Sequence, residues 1–223
     1  MMKNDNYSNC YKSGDVRVDY RYYFKKWEKL LGDGSVLSVL LTGVGGQGIL
    51  LTSKVLSEAA LLYGLDVKVS EVHGMAQRGG SVIGSVRMGR KVYSPTVSKA
   101  DFIISLEKLE ALRYINKLDS DGFIILNNVE IYPVSVFYGD VNYPEDIISR
   151  IGSITSNYIV VKALGIAKRL NEIRATNIML LGCLSNFIPI ENECWIDSIK
   201  KNVPCQAVDI NLEAFSEGRK IIN

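Results

Sequence analysis

The chain has 223 residues, of which 47% are hydrophobic and 22% charged, with a net charge of +2. That length suits one large domain or a domain with appendages, and so even a balance gives no electrostatic case for nucleic acid. No run of about 18 apolar residues is present to span a bilayer. The polar start Met1–Asn6 lacks the apolar stretch of a secretory signal, so a cytoplasmic protein is expected.

Four cysteines, Cys10, Cys183, Cys194 and Cys205, form no CxxC pair, and a single histidine accompanies them. Structural zinc and iron–sulfur clusters need close-spaced ligands, so no metal site is expected. Any redox centre this chain serves must lie elsewhere.

Residues 1–34 are rich in Tyr, Lys, Arg, Asn and Asp and read as an N-terminal extension, with order expected to be poor at its start. Within it, Tyr20–Leu31 has the pattern of a short amphipathic helix, and packing of that helix on the main domain is an equal alternative. Residues 35–223 are expected to form a single α/β domain. Val36–Thr42 is a continuous apolar run, as in a strand buried on both faces. Ile49–Tyr63 reads as a well-covered helix stopped by Gly64. Leu65–Ser70 alternates as a second strand, completing a βαβ unit with a right-handed crossover.

Ser81–Met88 alternates again, and Gly89–Arg90 reads as a hairpin-like turn into Lys91–Tyr93. Asp101–Leu106 and Phe123–Asn127 read as strands around a helix at 107–116. Shorter strands are expected at 131–138 and 157–162, with a helix begun at Pro144 between them. Helical patterns then cover 164–171, 175–188, 191–201 and 209–217. The fold class implied is a doubly wound, mostly parallel, Rossmann-like sheet with a helical C-terminal cap.

Two loops carry the chemistry. The first satisfies G-x-G-x-x-G with Gly43, Gly45 and Gly48, placed after a strand and opening a helix. On that pattern Gly43 permits the turn, Gly45 lets backbone approach a ligand and Gly48 lets the helix pack close. The helix N-terminus then offers free N–H groups to an anion. Glu71, about where a ribose-binding acid sits, adds to an NAD(P) or FAD reading. Glycines that merely allow close packing are the plain alternative. Gln47, beside Gly46, puts an amide where dinucleotide folds have a smaller or apolar residue.

The second loop gathers Glu71, His73, Gly74, Met75, Gln77, Arg78, Gly79, Gly80 and Ser81. So many polar groups exclude a core segment. It leaves a strand end beside the first loop, where ligands bind in open α/β sheets. Arg78 suits a phosphate or carboxylate. His73 suits a polar contact, and a structural hydrogen bond is the commoner role for a lone histidine than catalysis.

With both loops in place, the chain resembles the beta subunit of indolepyruvate:ferredoxin oxidoreductases, the gamma domain of the wider 2-oxoacid:ferredoxin oxidoreductases. The resemblance rests on Gly43–Gly48 and Ser70–Ser81. Further matching stretches are Tyr93–Pro95, Leu109–Tyr114, Asn177–Pro189, Trp195, Val203–Pro204 and Asn211–Phe215, so it covers roughly residues 36–218. Residues 1–34 have no counterpart in the pattern.

The resemblance implies oxidative decarboxylation of an aryl pyruvate to an acyl-CoA, with electrons passed to ferredoxin. It implies that this chain binds no cofactor alone. Thiamine diphosphate, Mg and [4Fe-4S] clusters would sit on a partner alpha subunit, with coenzyme A as co-substrate. Gly45–Gly48 and Glu71–Ser81 would line the cleft docked against that partner. Alternatives are an NAD(P)- or FAD-binding Rossmann oxidoreductase, or a gamma subunit acting on pyruvate, 2-oxoglutarate or 2-oxoisovalerate. Whether the isolated chain forms a homodimer stays open.

Overall fold

The structure, a computed structural model, describes residues 10–12, 19–73, 79–133 and 142–222. In chain order these form β1 (Cys10–Lys12), α1 (Tyr20–Gly32), β2 (Val36–Val44), α2 (Ile49–Leu62), β3 (Asp66–His73), β4 (Ser81–Gly89) and β5 (Ala100–Ser105). There follow α3 (Lys108–Tyr114), β6 (Leu118–Asn127), α4 (Ile147–Ile154), β7 (Tyr158–Val161), α5 (Ala163–Arg169), α6 (Thr176–Leu184), α7 (Asn192–Asn202) and α8 (Val208–Ile222).

The strands make one sheet in the order β1-β7-β6-β5-β2-β4-β3. β2, β5, β6 and β7 run parallel as neighbours. β4 runs against both β2 and β3, so β3 shares the direction of the parallel block, and β1 opposes β7. The α/β, mostly parallel reading therefore holds, with antiparallel edges.

Four local expectations need correction. β3 does not lie beside β2; β4 is inserted between them, so the strand–helix–strand unit is split. Lys91–Val97 carries no strand, because β4 already uses both of its edges on β2 and β3. Within the N-terminal extension, Cys10–Lys12 adds an edge strand to β7. Ile131–Pro133 is not a strand either, and the rest of that expected strand lies outside the described residues.

Alternation along the central strands divides the core. Leu37, Val39, Leu41, Phe102, Ile104, Phe123 and Ile125 pack under α1, α2 and α5 to α8. Leu40, Ile103, Ile124, Leu126 and Val160 pack under α3 and α4. Helix α1 starts at Asp19, whose side chain accepts the Tyr22 N–H. It buries Tyr23, Trp27 and Leu31, spaced one turn apart on one face. The Tyr23 ring meets Phe123 at 5.4 Å and Phe187 at 5.7 Å, edge-on, so this helix belongs to the main core.

Gly64 ends α2 in the left-handed region (φ +93), as expected. Ile49, Thr52, Ser53, Val55 and Leu56 of α2 are buried, but Leu50 in its first turn is 43% exposed and Leu61 and Leu62 in its last are 52% and 48%, so the helix is less covered than expected. Helices α6 and α8 approach until their backbones nearly touch: a Cβ on Gly182 would strike the Phe215 carbonyl, and one on Gly218 the Met179 carbonyl.

Candidate functional site

The first glycine turn joins β2 to α2 at the carboxyl end of the parallel strands. Its left-handed residues are Gly46 (φ +102) and Gly48 (φ +84), so the turn is made there rather than at Gly43. Gly43 serves close approach instead: a Cβ would lie 2.8 Å from Gln47 Oε1 and 3.2 Å from the Leu106 Cβ. Gln47 folds back beneath the turn. Its Oε1 accepts the Val44 N–H at 2.7 Å, and its Nε2 donates to the Leu106 carbonyl at 2.9 Å. The Gln47 amide is thus committed at both ends to holding the turn on the end of β5. From the other side Asn177 donates to the Gly48 carbonyl at 3.1 Å.

The two glycine loops do meet. Gly45 N–H donates to the Gly80 carbonyl at 2.9 Å, and Val44 pairs with Ser81 across β2 and β4. Ser81 Oγ donates in turn to Glu110 Oε2 and lies 3.2 Å from the Tyr114 hydroxyl. Arg113 Nε donates to Glu110 Oε1 at 3.1 Å. The exit of the second loop is therefore tied to α3. Gly74, Met75, Gln77 and Arg78, with the His73 side chain, lie outside the described residues.

Glu71 is described, half-buried at the end of β3. Its strand is separated from β2 by β4, which places it about two strand spacings, roughly 10 Å, from the strand bearing the glycine turn. A ribose-binding acid needs the adjacent strand, so Glu71 does not complete a dinucleotide site.

On the α2 side of the turn a cavity of about 430 Å³ opens at the carboxyl ends of the parallel strands. Gly46, Gln47 and Gly48 form one wall, Leu106, Asn127, Val129 and Ile131 another, and Leu164, Ile173, Arg174, Thr176 and Asn177 a third. This is the crevice where open α/β sheets hold ligands. Helix α2 presents its N-terminus beside it with no side-chain cap, which leaves N–H groups and the positive end of the dipole for an anion. Arg174 makes no ion pair among the described residues.

The far wall is pinned by Glu107, 1% exposed. Its carboxylate accepts the Tyr143 hydroxyl at 2.6 Å, the Glu110 N–H at 2.9 Å and the Ile131 N–H at 3.2 Å. Burial pushes its carboxyl up against the pull of these three donors. Tyr143 is raised as well, by burial first and then by its bond to Glu107.

Sequence reasoning placed the glycine turn but missed Asn127, Arg174, Thr176 and Asn177. Asn127 had a usable signal, a polar residue closing a buried apolar run at a strand's carboxyl end. Arg174 and Thr176 had none, since only the packing of α5 and α6 brings them to the turn. Among the described residues no cluster of His, Cys, Asp or Glu could hold a metal. Among them, too, no helix is long and apolar enough to cross a membrane.

The sequence profile of the pyruvate ferredoxin/flavodoxin oxidoreductase family matches residues 38–221. The chain belongs to this family. Among its relatives, the indolepyruvate oxidoreductase subunit IorB of Pyrococcus horikoshii is 42% identical over 190 residues, 82% of this chain and 94% of that protein. The protein of the same name from Archaeoglobus fulgidus is 40% identical over 188 residues, 82% and 93% of the two chains. The 2-oxoglutarate synthase subunit KorC of Methanothermobacter marburgensis stands at 25% over 198 residues.

Solved structures agree on the fold. The gamma subunit of a keto/oxoacid ferredoxin oxidoreductase from Geobacter sulfurreducens superposes with a TM-score of 0.61 at 21% identity, covering 83% of this chain and 98% of that one. The 2-oxoglutarate:ferredoxin oxidoreductase of Magnetococcus marinus, solved with 2-oxoglutarate, coenzyme A and succinyl-CoA, gives 0.65 at 20%, covering 84% of this chain and 31% of its own. The family's shared region begins at residue 38, after α1, so the helix that buries Tyr23 and Trp27 lies outside it.

Proposed function

We propose that the chain is the smaller subunit of an indolepyruvate:ferredoxin oxidoreductase. In that reaction an aryl pyruvate and coenzyme A give an aryl-acetyl-CoA and carbon dioxide, and two electrons pass to ferredoxin. The observation that carries the substrate is the 42% identity with an indolepyruvate oxidoreductase subunit across 94% of its length, against 25% for a 2-oxoglutarate relative. Thiamine diphosphate and the iron–sulfur clusters belong, on this reading, to a partner alpha subunit.

The contribution of this chain is the crevice. Its uncapped helix N-terminus and Arg174 suit the phosphates of coenzyme A, and its apolar walls suit the thiol-bearing arm. The face made by Gly45–Gly48 and Glu71–Ser81 docks against the alpha subunit. Residues 35–223 form the family's unit, and residues 1–34 are an addition whose helix α1 covers the sheet.

The test is reconstitution with the alpha subunit. The pair should oxidise indolepyruvate with coenzyme A and reduce ferredoxin, and this chain alone should do neither. Comparable turnover by the alpha subunit alone would overturn the role, as would tight binding of a dinucleotide by this chain in calorimetry. Arg78→Ala should weaken coenzyme A use or docking by roughly 1.5–3 kcal/mol, the worth of one charge-assisted contact; unchanged kinetics of the pair would remove Arg78 from the site.

A further inference from the structure

The first turn of α3 stands between the crevice and the exit of the second loop. Glu107 caps that turn and Glu110 lies within it, and both carboxylates are enclosed, 1% and 4% exposed. Glu107 serves the crevice. It accepts the Ile131 N–H at 3.2 Å and the Tyr143 hydroxyl at 2.6 Å, while Lys108 beside it donates its N–H to the Val129 carbonyl at 3.0 Å. Val129 and Ile131 belong to the cavity wall. Glu110 serves the loop. Its Oε2 accepts the Ser81 hydroxyl, and its Oε1 accepts Arg113 Nε at 3.1 Å. One bond joins the two carboxylates, from Glu110 N–H to Glu107 Oε2 at 2.9 Å.

These bonds close into a ring. Gly80, next to Ser81, receives the Gly45 N–H at 2.9 Å, and Gln47 of the same glycine turn donates to the carbonyl of Leu106, next to Glu107. The ring therefore runs from the glycine turn through Leu106 and Glu107 to Glu110, Ser81 and Gly80, and back to the turn. A ring so enclosed does not yield one link at a time. If the 129–131 wall moves, Glu107 moves with it, and Glu110 must follow or leave a buried group unpaired. At 1% and 4% exposure water does not replace the lost partner.

We propose that the first turn of α3 couples the two surfaces, so that coenzyme A in the crevice tightens the hold of the alpha subunit on the second loop. Glu110 and Ser81 are the positioning residues of that coupling. This rests on the reading of the crevice as the co-substrate's site and of the loop as the docking face. The sign follows from the ring. A ligand seated against Val129 and Ile131 steadies Glu107, and through Glu110 it steadies Ser81. A loop whose exit is already held loses less freedom when a partner docks on it. By reciprocity the alpha subunit raises the affinity for coenzyme A by the same factor.

The experiment titrates the full chain with the alpha subunit, with and without saturating coenzyme A, and reads the ratio of the two dissociation constants. Coenzyme A should tighten the pair about fivefold or more. Ser81→Ala cuts the ring at the loop and should bring the ratio close to one. Ser81→Thr keeps the hydroxyl and should restore it. Glu110→Gln, with one accepting oxygen for two donors, should lower the ratio in the same sense. Damage to packing alone would weaken docking equally in both titrations and leave the ratio unmoved.

A ratio near one in the parent chain would overturn the coupling. So would a ratio unchanged in Ser81→Ala, the outcome expected if coenzyme A simply bridges the two subunits. The underlying reading has its own control in Ile131→Trp, which fills the cavity. If the reconstituted pair then uses coenzyme A with an unmoved KM, the crevice is not the co-substrate's site at all. If that KM rises while the parent ratio is one, only the coupling fails.

Discussion

The two sides of the sheet differ in how completely they are enclosed. β2, β5, β6 and β7 lie between helices on both faces, and Leu41, Phe102, Ile104 and Ile125 are fully buried. The ribbon of β4 and β3 has a helix, α2, on one face only. On the other the 94–97 segment reaches β4, where Ser85 donates to the Pro95 carbonyl at 3.0 Å and Arg87 to the Ser94 carbonyl at 2.8 Å, and leaves the end of β3 uncovered. There Val72 stands 60% exposed opposite Ile83. In the enclosed half every polar side chain at the carboxyl end must answer to another group, which is why Gln47, Glu107 and Asn177 are all bonded. On the ribbon, water can satisfy what the chain does not.

The largest expected effect tests the enclosure itself. Ile104→Ala, in a strand with helices above and below, should destabilise the chain by about 2–5 kcal/mol, because both the lost transfer energy and the residual cavity count against it. Urea denaturation followed by tryptophan fluorescence measures it. A loss below about 1 kcal/mol would show that the sheet relaxes around the gap, and the contrast with the ribbon would dissolve.

A smaller effect is expected at the amino end of the same parallel block. Asp101 accepts the Ser38 N–H at 2.8 Å, yet burial pushes its carboxyl up to about 6, with Asp119 adding repulsion and Lys26 opposing it. A carboxyl raised on folding stabilises the fold below its ordinary value near 3.8, and that contribution is lost as pH climbs through about 6. Asp101→Asn keeps the acceptor for Ser38 and removes the charge. It should be more stable than the parent by up to about 3 kcal/mol at pH 8, with the difference gone near pH 4. Melting curves across that range decide it; a gain that does not shrink in acid would assign the effect to packing.

The same contrast explains what could be read without coordinates. The Val36–Thr42 run and the helix ended by Gly64 were legible because burial on both faces writes an unbroken apolar string and a helix stop writes a glycine. β3 and β4 were also legible as alternating strands, but not their order: alternation reports one covered face and says nothing about which neighbour lies alongside. That is why β4's insertion beside β2 went unseen, and with it the displacement of Glu71 from the glycine turn. The cavity was half legible. Its glycines announce themselves locally, whereas Arg174 and Thr176 arrive by the packing of helices some 130 residues further along the chain, as the 129-residue separation of Asn177 from Gly48 illustrates.

The smallest predicted effect is the sharpest test of the open face. Val72 and Thr have nearly the same shape, and both suit a strand, so Val72→Thr changes little but the polarity of one exposed surface group. In a buried strand that hydroxyl would need a partner and the exchange would be felt. On a face open to water it should shift the stability of the isolated chain by no more than about 0.5 kcal/mol, within the ordinary range for surface substitutions. Denaturant titration of parent and variant settles the sign and size. A loss above about 1 kcal/mol would mean that Val72 is covered in the folded chain, and the ribbon would then have to be counted with the enclosed half of the sheet.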